Sequence, residues 1–268
     1  MLKLKDIEVA AKRLSNVIHK TPLERSETFS QTAGCEIYLK YENLQKTGSF
    51  KIRGAYNKLA ELNPNTKVYA ASAGNHAQGV AFAAAALGMD ATIVMPRSTP
   101  IAKVKATEGY GAKVVLHGNC YDDACEKALE LQREFGGEFV HPFDDYSVIA
   151  GQGTIGLEIL KELPTVDYVL VPAGGGGLLA GVAFAIKNIN PRVKIIGVQA
   201  SGANAIVQSF DEKKEVCSLA ISTIADGIAV KKPGRLTLPL ICEYVDKVVT
   251  VSDADISSAI LLLLERNK

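Results

Sequence analysis

The segment DYVLVPAGGGGLLAG (residues 167–181) sets an apolar β-branched run, four consecutive glycines and a helix-forming run in immediate succession. Strand, tight glycine loop and helix in that order form one half of a βαβ unit. A unit of this kind belongs to a parallel sheet with helices on its faces. Without Cβ atoms the loop backbone can turn sharply, and its N–H groups can converge on an anion at the helix N-terminus. A plain strand-to-helix turn needs one or two glycines, so four in a row favour phosphate binding.

The same alternation extends outward along the chain. Strands are expected at EIYLKY (36–41), KVYAAS (67–72), ATIVMP (91–96), AKVVLH (112–117), DYVLVPA (167–173), KIIGVQ (194–199) and KVVTVS (247–252). Helix-length segments at 76–87, 121–135, 154–163 and 178–189 lie between them. The fold class is therefore α/β, with open and mostly parallel sheets. A second strand-to-helix loop, AASAGNHAQG (70–79), lies about a hundred residues before the glycine loop. That separation suits two domains whose loops face each other across a cleft.

Composition narrows the function classes. The 268 residues are 47% hydrophobic and 22% charged, enough to bury a sizeable core. The net charge of +1 and the absence of a basic run argue against a nucleic-acid or membrane-surface partner. Cys35, Cys120, Cys125, Cys217 and Cys242 are odd in number and lack Cys-x-x-Cys spacing. They read as reduced thiols rather than a disulfide framework or zinc site. The N-terminus reads as an amphipathic helix with Ile7, Ala10 and Leu14 on one face, not as a signal peptide. The most apolar stretch (80–95) is broken by Gly88 and Asp90, so a cytoplasmic protein is expected.

Three segments carry chemistry. In the glycine loop, Gly175, Gly177 and Ala180 meet the loose dinucleotide spacing. The following strand, however, ends in Val198-Gln199-Ala200 without the acidic residue that a ribose needs, and no Gly-Lys-Ser/Thr follows. A small phosphorylated cofactor fits better. In the second loop, Ser72 and Asn75 can cap the helix that follows, or can receive a carboxylate and a phenolic oxygen. His76 reads as a structural residue at a helix start, and His19, His117 and His141 are isolated. The third segment, TGSFKIRGAY (47–56), places Lys51 between Phe50 and Ile52 at a helix start, with Ser49 as its cap and Gly54 as a point of close approach.

GSFKIRGA (48–55), SAGNHAQG (72–79) and GGGGLLAG (174–181), in this order and at this separation, resemble the fold type II pyridoxal-phosphate enzymes. The chain is most similar to the biosynthetic and catabolic threonine dehydratases, with serine racemase a near relative. The likeness continues through AGQGTIGLEIL (150–160), IADG (224–227) and VSDADI (251–256). It implies two αβα domains of the tryptophan synthase β-like kind: residues 1–46 with 148–268 for the cofactor phosphate, and 47–147 for the substrate carboxylate. It further implies that Lys51 carries pyridoxal 5'-phosphate as a Schiff base and takes the substrate α-proton. Phe50 and Gly227 would pack on the two faces of the pyridine ring, and Asn75 would meet its phenolic oxygen. Gly174, Gly175, Gly176 and Gly177 would cradle the phosphate. Ser72, Ala73, Gly74 and Asn75 would receive the substrate carboxylate. The expected reaction is α,β-elimination from L-threonine or L-serine by a homodimer or homotetramer.

Three departures from the family pattern refine this expectation. Ala73 stands where serine racemases carry an acid/base serine, which favours elimination over racemisation. Gln199 and Ala205 stand at the acidic positions of the racemase divalent-metal site, so no metal is expected there. Family members also continue for several dozen residues past the point that matches ILLLLERNK (260–268). Their serine or cysteine partner of the pyridine nitrogen lies in that continuation, and no residue here takes the role. The chain is accordingly expected to be part of a longer protein and to leave apolar surface uncovered. Rival readings are a non-catalytic remnant of the fold, a serine racemase, a β-replacement synthase and a dinucleotide-dependent enzyme.

Overall fold

The computed structural model describes residues 1–218 and 220–266. Helix α1 (Leu4–Leu14), strand β1 (Leu23–Arg25), helix α2 (Glu27–Ala33) and strand β2 (Tyr38–Lys40) come first. Helix α3 (Lys51–Leu59) leads into β3 (Val68–Ala71), α4 (Asn75–Leu87), β4 (Ala91–Met95) and α5 (Ile101–Gly109). Then follow β5 (Lys113–Leu116), α6 (Tyr121–Phe135), β6 (Glu138–Phe139) and the long helix α7 (Tyr146–Glu162). The last elements are β7 (Tyr168–Pro172), α8 (Gly177–Ile189), β8 (Lys194–Ala200), α9 (Ala205–Glu212), α10 (Thr237–Tyr244), β9 (Lys247–Val251) and α11 (Asp253–Arg266).

Two compact units divide the chain: Met1–His19 with Asn43–Gln152, and Lys20–Glu42 with Gly153–Lys268. The expected division assigned residues 1–46 and 148–268 to one unit, whereas residues 1–19, 43–46 and 148–152 cluster with the first. The reason is local. The amphipathic face of α1 buries Ile7, Ala10 and Leu14. Its Arg13 donates to the side-chain oxygen of buried Asn57 on α3 at 2.6 Å and pairs with Glu61 at 3.0 Å.

In the first unit four parallel strands lie in the order β5-β4-β3-β6. Strand β3 is buried at every position, as expected for the centre of a parallel sheet covered on both faces. Leu59, Val68, Ala77, Val80, Ile93 and Met95 belong to one core on its face, and Ala71, Val94, Ala124 and Ala128 to another. Helix α3 is gripped by backbone on two sides. A Cβ at Gly54 would lie 2.5 Å from Gln152 Nε2 and 2.8 Å from Val148 O, and one at Gly151 would lie 2.5 Å from Arg53 O. A Cβ at Gly79 of α4 would lie 3.1 Å from the Lys51 carbonyl carbon and the Ile52 nitrogen.

In the second unit β7, β8 and β9 form a parallel sheet, and β1 and β2 form a separate antiparallel pair. All seven expected strands are present, but the first, at Tyr38–Lys40, pairs antiparallel with β1, a three-residue strand without an apolar run to announce it. Helix α8 buries Leu179, Val182, Ala183 and Ile186. Ser252 and Asp255 form a reciprocal cap of α11, Ser252 N donating to Asp255 Oδ2 at 3.0 Å and Asp255 N to Ser252 Oγ at 3.2 Å. That helix exposes Ile260, Leu261, Leu262, Leu263 and Leu264, and β7 exposes Tyr168 and Leu170. All five cysteines are free thiols. Among the described residues no helix is long and apolar enough to cross a membrane, and no three or more His, Cys, Asp or Glu side chains are grouped for a metal.

The helix contact at Gly54 gives a stability prediction. Gly54→Ala places a methyl group against Val148 and Gln152, and equilibrium denaturation should show a loss of about 1–3 kcal/mol. An unchanged midpoint would refute the close approach.

Candidate active site

Lys51 is the first residue of α3, preceded at the cap position by Phe50 in a right-handed helical conformation. The expected cap, Ser49, lies one residue earlier, and its Oγ accepts the Lys51 N–H at 3.4 Å. The Lys51 amine donates to the carbonyl of buried Pro142 at 2.8 Å and lies 5.4 Å from the centre of the Phe50 ring. Lys51 keeps some accessible surface, but protein packs round the amine, and this desolvation brings its pKa down from 10.5 to about 8. At neutral pH the neutral, nucleophilic form is therefore within easy reach.

The second loop ends at the start of α4. Gly74 occupies the cap position and no side chain caps this helix. Its first N–H groups thus face out of the helix end, where a carboxylate is favoured. Ser72 Oγ accepts the Gly74 N–H at 3.1 Å, which orients the hydroxyl at the mouth of the loop. Ser72, Ala73 and Gly74 are half-buried and Asn75 is exposed. His76, by contrast, is buried and bonds the Val140 carbonyl through Nε2 at 2.9 Å. Burial, then the neighbouring charges of Lys51 and His141, press its pKa down to about 3. It stays neutral and serves as a structural strut, as its place at a helix start suggested.

The glycine loop is built within the second unit. Gly176 caps α8 with φ of +96°, a left-handed conformation open to glycine, and no side chain caps this helix either. A Cβ at Gly176 would lie 2.7 Å from Ile241 Cδ1, and one at Gly174 would lie 2.9 Å from Ile228 Cα. The Gly175 carbonyl accepts from Thr237 Oγ1 at 2.7 Å and from Gly234 N at 3.2 Å. With its carbonyl turned into the protein, the loop leaves the N-terminal N–H groups of α8 for an anion. A phosphate group fits these residues. Thr237 is fully buried and gave no sequence signal, because a threonine in RLTLP belongs to no motif.

Gly227 lies in a short turn (Asp226–Ile228), exposed, with nothing within 4 Å of where a Cβ would point. Open space there is compatible with a flat ring on that side. Gln199 is fully buried, and its side-chain oxygen accepts the Val207 N–H at 2.9 Å, which ties β8 to α9.

A family model for pyridoxal-phosphate-dependent enzymes matches residues 14–268. The L-threonine ammonia-lyase of Thermotoga maritima is 54% identical over 271 residues, covering 100% of this chain and 68% of that protein. The processed form of threonine deaminase isoform 2 from Solanum lycopersicum superposes with a TM-score of 0.95 at 42% identity, covering 98% of this chain and 73% of that one. Maize serine racemase superposes with a TM-score of 0.96 at 35% identity, covering 99% of this chain and 81% of that one.

The desolvated lysine has a measurable cost. Because the folded protein binds the Lys51 proton less tightly than the unfolded chain, the penalty is full below pH about 8 and fades as pH rises towards 10.5. In cofactor-free protein Lys51→Met should therefore be more stable than the parent at pH 7, by about 1–3 kcal/mol. Denaturation series should show the gap closing between these two pH values. A gap independent of pH would refute the lowered pKa.

Proposed function

We propose that this chain, which belongs to the family of pyridoxal-phosphate-dependent enzymes, is an L-threonine ammonia-lyase that also accepts L-serine. The observation that carries the chemistry is the Lys51 amine, held out of water against the Pro142 carbonyl. The substrate is suggested by the 54% identity to a protein named L-threonine ammonia-lyase.

Bound pyridoxal phosphate supplies an aldehyde that exchanges amines and a ring that accepts the electron pair freed at the substrate α-carbon. Lys51 is assigned the aldehyde. The α8 N-terminus with Gly174, Gly175, Gly176 and Gly177 is assigned the phosphate, Phe50 and Gly227 the ring faces, and Asn75 the phenolic oxygen. The helix end formed by Gly74 and Asn75, with the Ser72 hydroxyl, holds the substrate carboxylate and so orients the α-C–H bond. With the cofactor bound, the free Lys51 amine would take the α-proton as general base, a role suited to a pKa of about 8. Loss of this hydrogen and of the β-hydroxyl removes one water, and hydrolysis of the unsaturated amine restores it. Threonine thus gives 2-oxobutanoate and ammonia.

The likeness to maize serine racemase favours one second reading. Ala73 weighs against it, because a methyl group cannot deliver a proton to the opposite face of the α-carbon. Free, scattered cysteines suit a reducing cytoplasm, and a homodimer or homotetramer is the assembly that the resemblance suggests.

Borohydride reduction of the yellow protein, followed by peptide mapping, should place the cofactor on Lys51. Lys51→Ala should keep the circular dichroism spectrum and lose 2-oxobutanoate formation by at least about 1,000-fold, as expected when a nucleophile and base are lost together. Retained turnover in Lys51→Ala would overturn the role of Lys51, and D-serine accumulating from L-serine would overturn the lyase assignment.

A further inference from the structure

Between β6 and α7 the chain runs through His141, Pro142, Phe143 and Asp144, a loop that meets the reaction above only at the Pro142 carbonyl. Its geometry is closely fixed. His141 Nδ1 accepts the Asp144 N–H at 2.8 Å and the Phe143 N–H at 3.3 Å. Such acceptance requires the proton of a neutral ring to sit on Nε2. The ring itself is held edge-on to Phe139 and Phe143, with centroids 6.3 and 4.6 Å away. Of the two residues that flank His141, Pro142 touches the site directly and Val140 holds the structural His76 beside it. The Pro142 carbonyl accepts from the Lys51 amine at 2.8 Å, and the Val140 carbonyl from His76 Nε2, beside Asn75, at 2.9 Å.

We propose that His141 is a positioning residue for the reaction, fixing loop 140–144 through its Nδ1 so that the Pro142 carbonyl aims the Lys51 amine. The proposal rests on the assignment of Lys51 as cofactor lysine and base. A backbone carbonyl can direct a lysine only if its peptide plane is fixed, and proline leaves that segment without an N–H to anchor it. The double acceptance by His141 supplies the anchor from the next two residues. It also closes the loop over the amine and keeps water from it. The charged or titratable groups around the loop include Lys51, Arg53, Tyr56 and Lys58 on α3, Tyr69 on β3, His76 on α4, Glu138 on β6, and Asp144, Asp145 and Tyr146. Lys58 pairs with Glu138 at 2.7 Å and with Asp145 at 3.0 Å, which braces both ends of the loop independently of His141.

His141→Ala and His141→Asn separate this role from simple packing. The asparagine oxygen lies as many bonds from Cα as Nδ1 does, so it can accept the same two N–H groups while losing the ring contacts. Cofactor-free proteins are treated with formaldehyde and cyanoborohydride across a pH series, and methylation of the Lys51 peptide is followed by mass spectrometry. Cofactor-loaded proteins are assayed with threonine and mapped after borohydride reduction. In His141→Ala the midpoint of Lys51 methylation should rise by ~1 pH unit as water reaches the amine. In the same variant kcat should fall by about 10- to 100-fold, with KM changing less. His141→Asn should restore both values towards the parent, even if it melts at a lower temperature. An unmoved midpoint and kcat in His141→Ala, or equal impairment in His141→Asn, would overturn the role of Nδ1 while borohydride still labels Lys51. Cofactor found on another lysine of the parent protein would instead overturn the assignment on which the proposal rests.

Discussion

The close backbone contacts around α3 are the constraint on which the reactive amine depends. A helix can come within touching distance of neighbouring backbone only where a side chain is missing. Gly54 and Gly151 meet where α3 crosses α7, and Gly79 does the same from α4. A helix held on both sides in this way cannot swing its first residue into water. Lys51 is that first residue, and its amine is met by a carbonyl in place of solvent. The lowered pKa is therefore a packing result, produced by glycines whose own chemistry is nil.

The second unit solves a different problem by a related means. Its glycine loop binds nothing through side chains, because it has none. The Thr237 hydroxyl and the Gly234 N–H fix the Gly175 carbonyl inward, and Ile241 and Thr237 leave no room for a Cβ at Gly176. What the loop then presents is the positive end of α8, a fixed set of donors that needs no rearrangement when an anion arrives. In both units the working group is set by the fold, and one polar residue outside the motif holds it in place: His141 in the first, Thr237 in the second.

Local sequence made much of the architecture legible. Short β-branched runs alternating with helix-length segments located β3, β4, β5, β7, β8 and β9, and the helix expected at residues 121–135 matched α6 at both ends. The weakest signals were the short ones. Strands β1 and β6 have three and two residues, too few for any period to emerge. Their existence depends on partners far away in sequence. The grouping of residues 1–19 with the first unit was likewise invisible, since Arg13 and Asn57 are ordinary polar residues until α1 and α3 are packed together.

The kind of chemistry on offer can be read from adjacent residues without any packing. A lysine beside an aromatic at a helix start, an asparagine loop and four glycines after a strand are local patterns, readable one after another. How these residues behave was decided in three dimensions. Nothing adjacent to Lys51 says that Pro142, ninety-one residues on, will accept its hydrogen bond, nor that His141 will hold that carbonyl still. An isolated histidine and a proline in a loop carry no pattern. Desolvation and hydrogen-bond direction are properties of what surrounds an atom, and those surroundings arise only when distant segments of the chain are packed together.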